Sequence, residues 1–479
     1  MAGDSPTQSG SVLVVGGGMG GLTAALRARE KGAAVTLIEK YPDLTHSSTF
    51  IAGGGFTIRV EPYGEYTPAQ LILAFQETSE CRCDLDLVSV FARRIAADFA
   101  WLKDDLGVSM TPNPNRKGTF MVDGRGAAIP PHMERAAREG GVDLLLQTEA
   151  KRFLTDGAGR VTGIEALTPA GPREIHAGAV VLATGGFEAN GEMVRKYLGE
   201  EVYATAFKHR VTPPGHTGDG QRMAMDVGAS FARKPFLIHC GAEDKAWEKP
   251  GVRPKNQGGP TRALLRTSKW GLWVNGNGKR FVDESAESDT VSTAIMRQPG
   301  GAAALIFDEA VRQRFPEEAE TYAKAVPGAI LEGQSLGEIA EKIGAPPAEL
   351  ARTVGEYNGA VTNGRAPGLE IPKGAYMATA APLTKAPFYA VHPVWCSMNT
   401  VWGGLEIDAE ARVLGQDGTP IPGLYAAGAI FGGVFNGIWS QTLSGVPTYR
   451  SNHDLLAASL QVCLVFGRVA GEKAAAYAG

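Results

Sequence analysis

The chain has 479 residues and a mass of 50.4 kDa, with 62 glycines, five cysteines and a net charge of -4 from 47 basic and 51 acidic side chains. At about 150 residues per domain this length admits roughly three domains or one large two-part enzyme, and excludes a peptide ligand or small stapled module. The charge balance offers no basic field to nucleic acid or anionic lipid, no G-X-Y period makes the glycines collagenous, and 44% apolar residues can offset the entropy that keeps disordered chains unfolded.

Glycine, 62 of 479 positions against a usual ~7%, therefore needs local causes. The cysteines, Cys81, Cys83, Cys240, Cys396 and Cys463, form an odd, scattered set without C-x-x-C spacing. That argues against a disulfide framework, a structural zinc site or an iron-sulfur cluster and suits a reducing cytosol. The first residues lack the basic and apolar regions of a signal peptide and no run of 18 apolar residues follows, so a soluble cytoplasmic protein without a transmembrane segment is expected.

Ser11 to Val15 is a short β-branched run with the composition of a buried parallel strand, and it leads into Gly16-Gly17-Gly18-Met19-Gly20-Gly21. A helical stretch from Leu22 to Lys31 follows and ends at Gly32; a second strand, Ala34 to Ile38, then carries Glu39 at its carboxyl end. In such a unit the first glycine allows the tight turn, Gly18 lets backbone N-H groups approach a pyrophosphate, and Gly21 permits close packing of helix on strand. The phosphate sits on the helix N-terminus. Glu39 can accept both ribose hydroxyls and would repel a 2'-phosphate, which disfavours NADP and leaves NAD or FAD.

Beyond this unit, His46-Ser47-Ser48-Thr49 supplies hydroxyls and Gly53-Gly54-Gly55 bare backbone, suited to clasping phosphate and lying close to a flat ring. One strand-like run is expected from Val142 to Leu154, returning after Asp156-Gly157 as Arg160 to Ile164 in a β-meander. Gly178 to Phe187 reads as a buried strand ending in the small-residue turn Ala183-Thr184-Gly185-Gly186, and Val413 to Gly428 as a turn at Asp417-Gly418 followed by another strand. Between these, Phe307 to Ala360 has amphipathic helical patterns, such as Leu336 to Ile343 and Pro347 to Tyr357, unlike the strand-rich ends. Leu455 to Phe466 is an apolar helix too short to span a bilayer.

Together these segments resemble the FAD-dependent fumarate reductase and succinate dehydrogenase flavoprotein superfamily, in particular its single-chain branch with 3-ketosteroid dehydrogenases and tricarballylate dehydrogenase. The resemblance rests on the first glycine motif, Val181 to Phe187, Thr217-Gly218-Asp219-Gly220, Val274-Asn275 with Gly278 to Glu284, Pro387 to Ala390, Gly403 to Leu405, and Gly423 to Gly428. It implies an α/β fold with α+β elements: a Rossmann-like FAD-binding domain built from both chain ends, about residues 1–233 and 393–479, with a clamp or substrate domain inserted at about 234–392. The cofactor contacts it implies are Gly16, Gly18, Gly20, Gly21, Glu39, Lys40, Ser47, Ser48, Thr49, Gly53, Gly54, Gly55, Ala150, Ala183, Thr184, Gly185, Asp219 and Gly428. Ser459 and Leu460 in the last helix match further contacting positions and complete the set; the resemblance implies that this helix aims its N-terminus at the flavin, where its dipole would stabilise the reduced form. The covalent histidine of the respiratory enzymes aligns with Ser47 or Ser48 rather than His46, so noncovalent FAD is expected.

The family reaction removes or adds two hydrogens across a C-C bond next to a carbonyl or carboxylate. In the dehydrogenating direction a base takes the α-proton, flavin N5 takes the β-hydride, and cationic or N-H donors hold the enolate-like charge. His239 matches a substrate-contacting histidine of fumarate reductases. The position of their proton-donating arginine is Ser288 here, and that of a second histidine is Asn399, so fumarate reduction is disfavoured. Arg266 lies near a family position for charged residues. An unusual segment from Ser440 to Asp454 adds Tyr449 and His453 as acid/base candidates and Arg450 as a carboxylate fork. The resulting expectation is an FAD-dependent desaturase for a small ketone or carboxylic acid. Alternatives are a C=C (enoate) reductase and a non-catalytic flavoprotein scaffold. No haem or iron-sulfur spacing is present, so the electrons would pass to an external acceptor.

Overall fold

The computed structural model describes residues 10–79, 81–114, 117–210, 212–231, 236–242, 267–286, 288–325, 327–328, 330–374, 378–401, 403–435 and 459–479, with 236–242 described by their backbone. A six-stranded sheet organises both chain ends, in the order β16-β17-β10-β1-β2-β6. Its strands are β1 (Ser11–Val15), β2 (Ala34–Ile38), β6 (Asp143–Leu145), β10 (Ala179–Leu182), β16 (Arg412–Leu414) and β17 (Pro420–Ala426). All pairs are parallel except β16 with β17 at one edge. β1 and β10 are buried at every position, which is why they read as unbroken apolar runs rather than alternating ones.

Helix α1 (Met19–Glu30) starts three residues earlier than its apolar pattern suggests, because the glycines of the motif already form its first turn. The last helix, Ser459–Ala478, lies against it. A Cβ at Gly467 would stand 2.7 Å from the Gly20 carbonyl, and one at Gly471 2.2 Å from that of Ala24, so the two backbones meet with no side chain between. On its other side Arg468 donates from Nε to the buried Asp98 carboxylate at 2.9 Å, and its guanidinium stacks on Trp101.

The expected single strand over 142–154 is in fact two strands in different sheets. β6 belongs to the six-stranded sheet, whereas β7 (Glu149–Thr155) forms a separate antiparallel meander with β8 (Val161–Thr168) and β9 (Gly171–His176). The break falls at Gln147, whose φ is +50° and whose N-H donates to the Tyr41 carbonyl at 3.0 Å. A third small sheet joins β3 (Gly55–Thr57), β5 (Thr119–Val122) and β4 (Met110–Pro112).

The inserted region adds a sheet to the helices expected between Phe307 and Ala360, and only its strand Ile330–Gly333 lies wholly inside that stretch. The helices Leu336–Ile343 and Pro347–Ala360 are present, but they pack on an antiparallel sheet ordered β11 (Phe236–Ala242), β15 (Phe388–Val401), β13 (Ala302–Asp308) and β12 (Leu272–Val274), with β14 (Ile330–Gly333) also paired to β15. Trp273, Ile306, Phe307, Tyr357 and Val391 fill this second core. Its polar centre is Glu284, fully buried, which accepts from the Trp273 N-H at 3.1 Å and from Arg280 Nε and Nη2 at 3.0 and 2.9 Å, with Lys373 Nζ 3.7 Å away. β15 runs unbroken through the expected boundary at 392. Its first half packs in the second core, while Cys396, Met398 and Val401 join a small third core with Phe187, Met193 and Val202.

Candidate cofactor and active site

The carboxyl ends of β1, β2, β10 and β17 face one crevice, since consecutive crossovers from β1 lead to β2 on one side and β10 lies on the other. Gly16 turns the chain there with φ +109°, and a Cβ on it would lie 2.4 Å from the Ala183 carbonyl. Gly21 lies directly beneath, its absent Cβ 1.9 Å from the Gly16 carbonyl. Gly20 approaches Gly428 N at 3.1 Å by the same measure. Gly18 is different: it is the N-cap of α1 with no side-chain cap, and a Cβ there would meet nothing closer than Ser47 Cβ and Thr49 Oγ1 at 3.8 Å.

Glu39 stands at the end of β2. Its Oε2 accepts from the Gly17 N-H at 2.9 Å and its Oε1 from the Tyr41 N-H at 3.1 Å. The Thr148 N-H donates to the Glu39 carbonyl at 2.8 Å, which brings the start of β7, with Ala150, alongside. Lys40 turns away from this row. Its ammonium donates to the Gly215 carbonyl, Thr217 Oγ1 and Asp219 Oδ2 at 2.6, 3.2 and 2.8 Å. Burial alone pushes the Asp219 carboxyl up, but Lys40, Thr217 and Arg222 more than reverse this and hold it below its usual range. Lys40 and Asp219, both expected at the cofactor, thus direct their charges at each other and tie two motif segments together.

Helix α2 (Ser48–Ile51) is capped by Ser47, whose Oγ accepts from the Phe50 N-H at 3.3 Å. Thr49 Oγ1 reaches across to accept from the Met19 N-H at 3.0 Å, at the first turn of α1. His46 is elsewhere, stacked on Tyr41 at 4.2 Å with Nδ1 3.1 Å from Asp43. Ser48 Oγ lies 3.4 Å from His216 Nδ1, and the same nitrogen is 2.7 Å from Glu188 Oε1. Glu188 is fully buried and its Oε2 has no partner.

Neither Glu188 nor His216 was singled out from the sequence. The available signal was their place two residues after Thr184-Gly185-Gly186 and directly before Thr217-Gly218-Asp219. Gly185 makes room for the imidazole: a Cβ on it would sit 3.0 Å from His216 Nε2. Thr184 Oγ1 is likewise buried without a partner. The open backbone at Gly18, the Glu39 carboxylate and these orphaned acceptors and donors suit a long ligand with phosphates, ribose hydroxyls and a polar ring, as FAD has.

On the substrate side β11 pairs with β15 so that His239 opposes Ser397. The register shifts between Leu237 and Ile238, which oppose Thr400 and Met398, and Asn399 is the additional residue of this bulge. Bulges re-aim side chains and occur beside active sites. Ser288 begins the helix Ser288–Met296, and the Trp395 ring stacks on His209 at 4.5 Å. Arg266, Tyr449, Arg450 and His453 lie outside the described residues.

Residues 11–442 match the family model described as FAD binding domain. The chain belongs to this family. It is 30% identical to a probable fumarate reductase of Shewanella frigidimarina over 99% of its own length and 76% of that protein. It is 29% identical to the NADH:acrylate oxidoreductase of Vibrio harveyi over 97% of its length, but spans only 50% of that relative. The 3-ketosteroid delta1-dehydrogenase of Sterolibacterium denitrificans shares the fold with a TM-score of 0.76 at 21% identity, covering 97% of this chain and 99% of that one. The chain is accordingly an FAD-dependent oxidoreductase acting on CH-CH groups. Among the described residues no helix is long and apolar enough to cross a membrane.

Proposed function

We propose that the enzyme removes two hydrogens across a C-C bond α,β to a carbonyl or carboxylate of a small substrate, with residues 1–233 and 393–479 forming the cofactor domain and about 234–392 the clamp. The observation that supports this reading is that Asn399 is the extra residue of the bulge where β15 pairs with the strand carrying His239, with Ser288 opening a helix that packs near that strand. Neutral side chains occupy positions where a proton donor for reduction is expected. Bound FAD, held noncovalently, supplies the two-electron redox chemistry. The chain's own part is to hold it, through Gly16 to Gly21, Glu39, Ser47 to Thr49, Thr184 and Gly185, and to exclude water at the crevice.

His239 is the proposed base for the α-proton; Tyr449 and His453 are the other candidates, with Arg266 and Arg450 for the developing negative charge. The electrons leave to a separate acceptor. A cytoplasmic setting is part of this reading, and Cys81, Cys83 and Cys463 are free thiols. A second reading, reduction of an enoate, is favoured by relatives whose names specify fumarate and acrylate.

Anaerobic titration of the yellow holoenzyme decides between them. Saturated ketones or acids that bleach the flavin support dehydrogenation. Rapid reoxidation of the reduced enzyme by enoates, without bleaching by saturated compounds, reverses the direction. No response in either titration leaves only a scaffold role.

A further inference from the structure

Arg125 carries two independent structural costs. It opens the short 3-10 turn Arg125–Ala128 with φ +60°, the left-handed region that favours glycine, between Gly124 and Gly126. Its Nη1 is buried without a hydrogen-bond acceptor, a loss felt most by a charged group. The guanidinium keeps its charge at any ordinary pH. The nearest acid in sequence, Asp123, is engaged elsewhere, accepting from Ser109 Oγ at 2.5 Å and Thr111 Oγ1 at 2.8 Å.

Packing explains why the backbone stays in this conformation. A Cβ on Gly54 would lie 2.6 Å from Arg125 Cα, and one on Gly126 2.3 Å from the Thr49 carbonyl. The Gly126 N-H donates to the Ala52 carbonyl at 3.1 Å and the Val122 N-H to that of Gly54 at 2.9 Å. Arg125 is therefore pressed onto the Gly53 to Gly55 loop, at the part of the crevice proposed for the flavin ring. The loop 122–126 would close equally well with glycine or asparagine at 125. What arginine adds is a half-buried cationic fork with one buried donor that has no partner, the chemistry that takes a carboxylate. Strained residues with unmet bonding capacity gather at ligand sites.

We propose that Arg125 is a substrate-anion residue and that the substrate is a carboxylic acid, its carboxylate held by the guanidinium beside the flavin. This inference rests on the redox reading above and narrows its substrate class. The test titrates holoenzyme with acrylate and cyclohexanecarboxylate and with their amides, following the flavin difference spectrum, in wild type, Arg125→Gln and Arg125→Lys. Separate titration of apoprotein gives the affinity for FAD.

The expected result is carboxylate binding at least tenfold weaker in Arg125→Gln, partly restored in Arg125→Lys, with amide binding and FAD affinity unchanged. Equal carboxylate affinities in all three proteins overturn the inference, as does weakened FAD binding with unaltered carboxylate affinity, which would assign the cation to the cofactor. If the wild type responds to ketones but to no carboxylate, the substrate class fails while the redox reading stands. Silence towards ketones, acids and enoates alike sinks both. Arg125→Gly should leave the melting temperature of the apoprotein unchanged or higher; a fall would mark the side chain as structural and overturn the proposal.

Discussion

Gly18 and Gly21 stand three residues apart in one motif, and the structure separates their roles sharply enough to test. At Gly18, φ is -73° and ψ is 177°, values an alanine adopts freely, and an added methyl would have only ordinary contacts at 3.8 Å. Gly18→Ala should therefore fold as well as wild type, with a gain of about 0.4–1 kcal/mol from the less flexible unfolded chain. The room that makes this harmless to the protein is the room proposed for the pyrophosphate. A methyl there holds an anionic oxygen off the first N-H groups of α1, and one hydrogen bond to a charged acceptor is worth roughly 1.5–3 kcal/mol. That converts to an FAD dissociation constant raised about 10- to 150-fold. Gly21→Ala is the contrast, because its methyl would lie 1.9 Å from the Gly16 carbonyl. Relief requires moving α1 off β1, a strain of about 1–3 kcal/mol or more, so apoprotein stability itself should drop. Thermal melting of the apoproteins and quenching of FAD fluorescence on reconstitution measure both quantities. Gly18→Ala binding FAD within threefold of wild type would refute the placement of the pyrophosphate at this helix end.

Further outcomes follow from buried charges. Asp219, with its carboxyl held below the usual value near 3.8, contributes stability that is fully present above about pH 4 and lost as pH falls through its depressed folded value. Asp219→Asn should lower stability at pH 7 by about 1.5–3 kcal/mol and weaken this acid dependence, checked by urea unfolding from pH 7 down to pH 3. Glu284→Gln leaves Arg280 and Lys373 facing a neutral amide in the clamp core. A loss of about 3–5 kcal/mol is expected, read as a lower unfolding midpoint, with a change below 1 kcal/mol counting against the hub. Among the described thiols Cys81 is exposed, whereas burial shields Cys83 and pushes its thiol up. Iodoacetamide should label Cys81 and spare Cys83 until the protein is denatured, as peptide mass mapping will show.

The cofactor end was legible because its determinants are local. The turn at Gly16, the cap at Gly18 and the acid ending β2 lie within about 30 residues, and each acts through its immediate backbone. The break at Gln147 was not legible, because its left-handed conformation is held by the Tyr41 carbonyl from a distant segment. The clamp sheet escaped for a different reason. β13 begins with three alanines, and β15, though rich in aromatic and β-branched residues, is interrupted by Pro393 and lacks a sustained alternation, so pairing with neighbours decides their state. The same division applies to the site. Thr184 and Gly185 are proposed at the cofactor from one short motif, while Glu188 and His216 acquire meaning only when folding closes 28 residues to 2.7 Å. Lys40 and Asp219 show a further effect of distance: beside the cofactor role their motifs suggest for each, folding across 179 positions brings their charges within 2.8 Å of one another. Their pairing clamps the end of β2 to the Thr217 to Gly220 turn. Loss of either charge should therefore disturb the cradle as a whole rather than remove one contact from it.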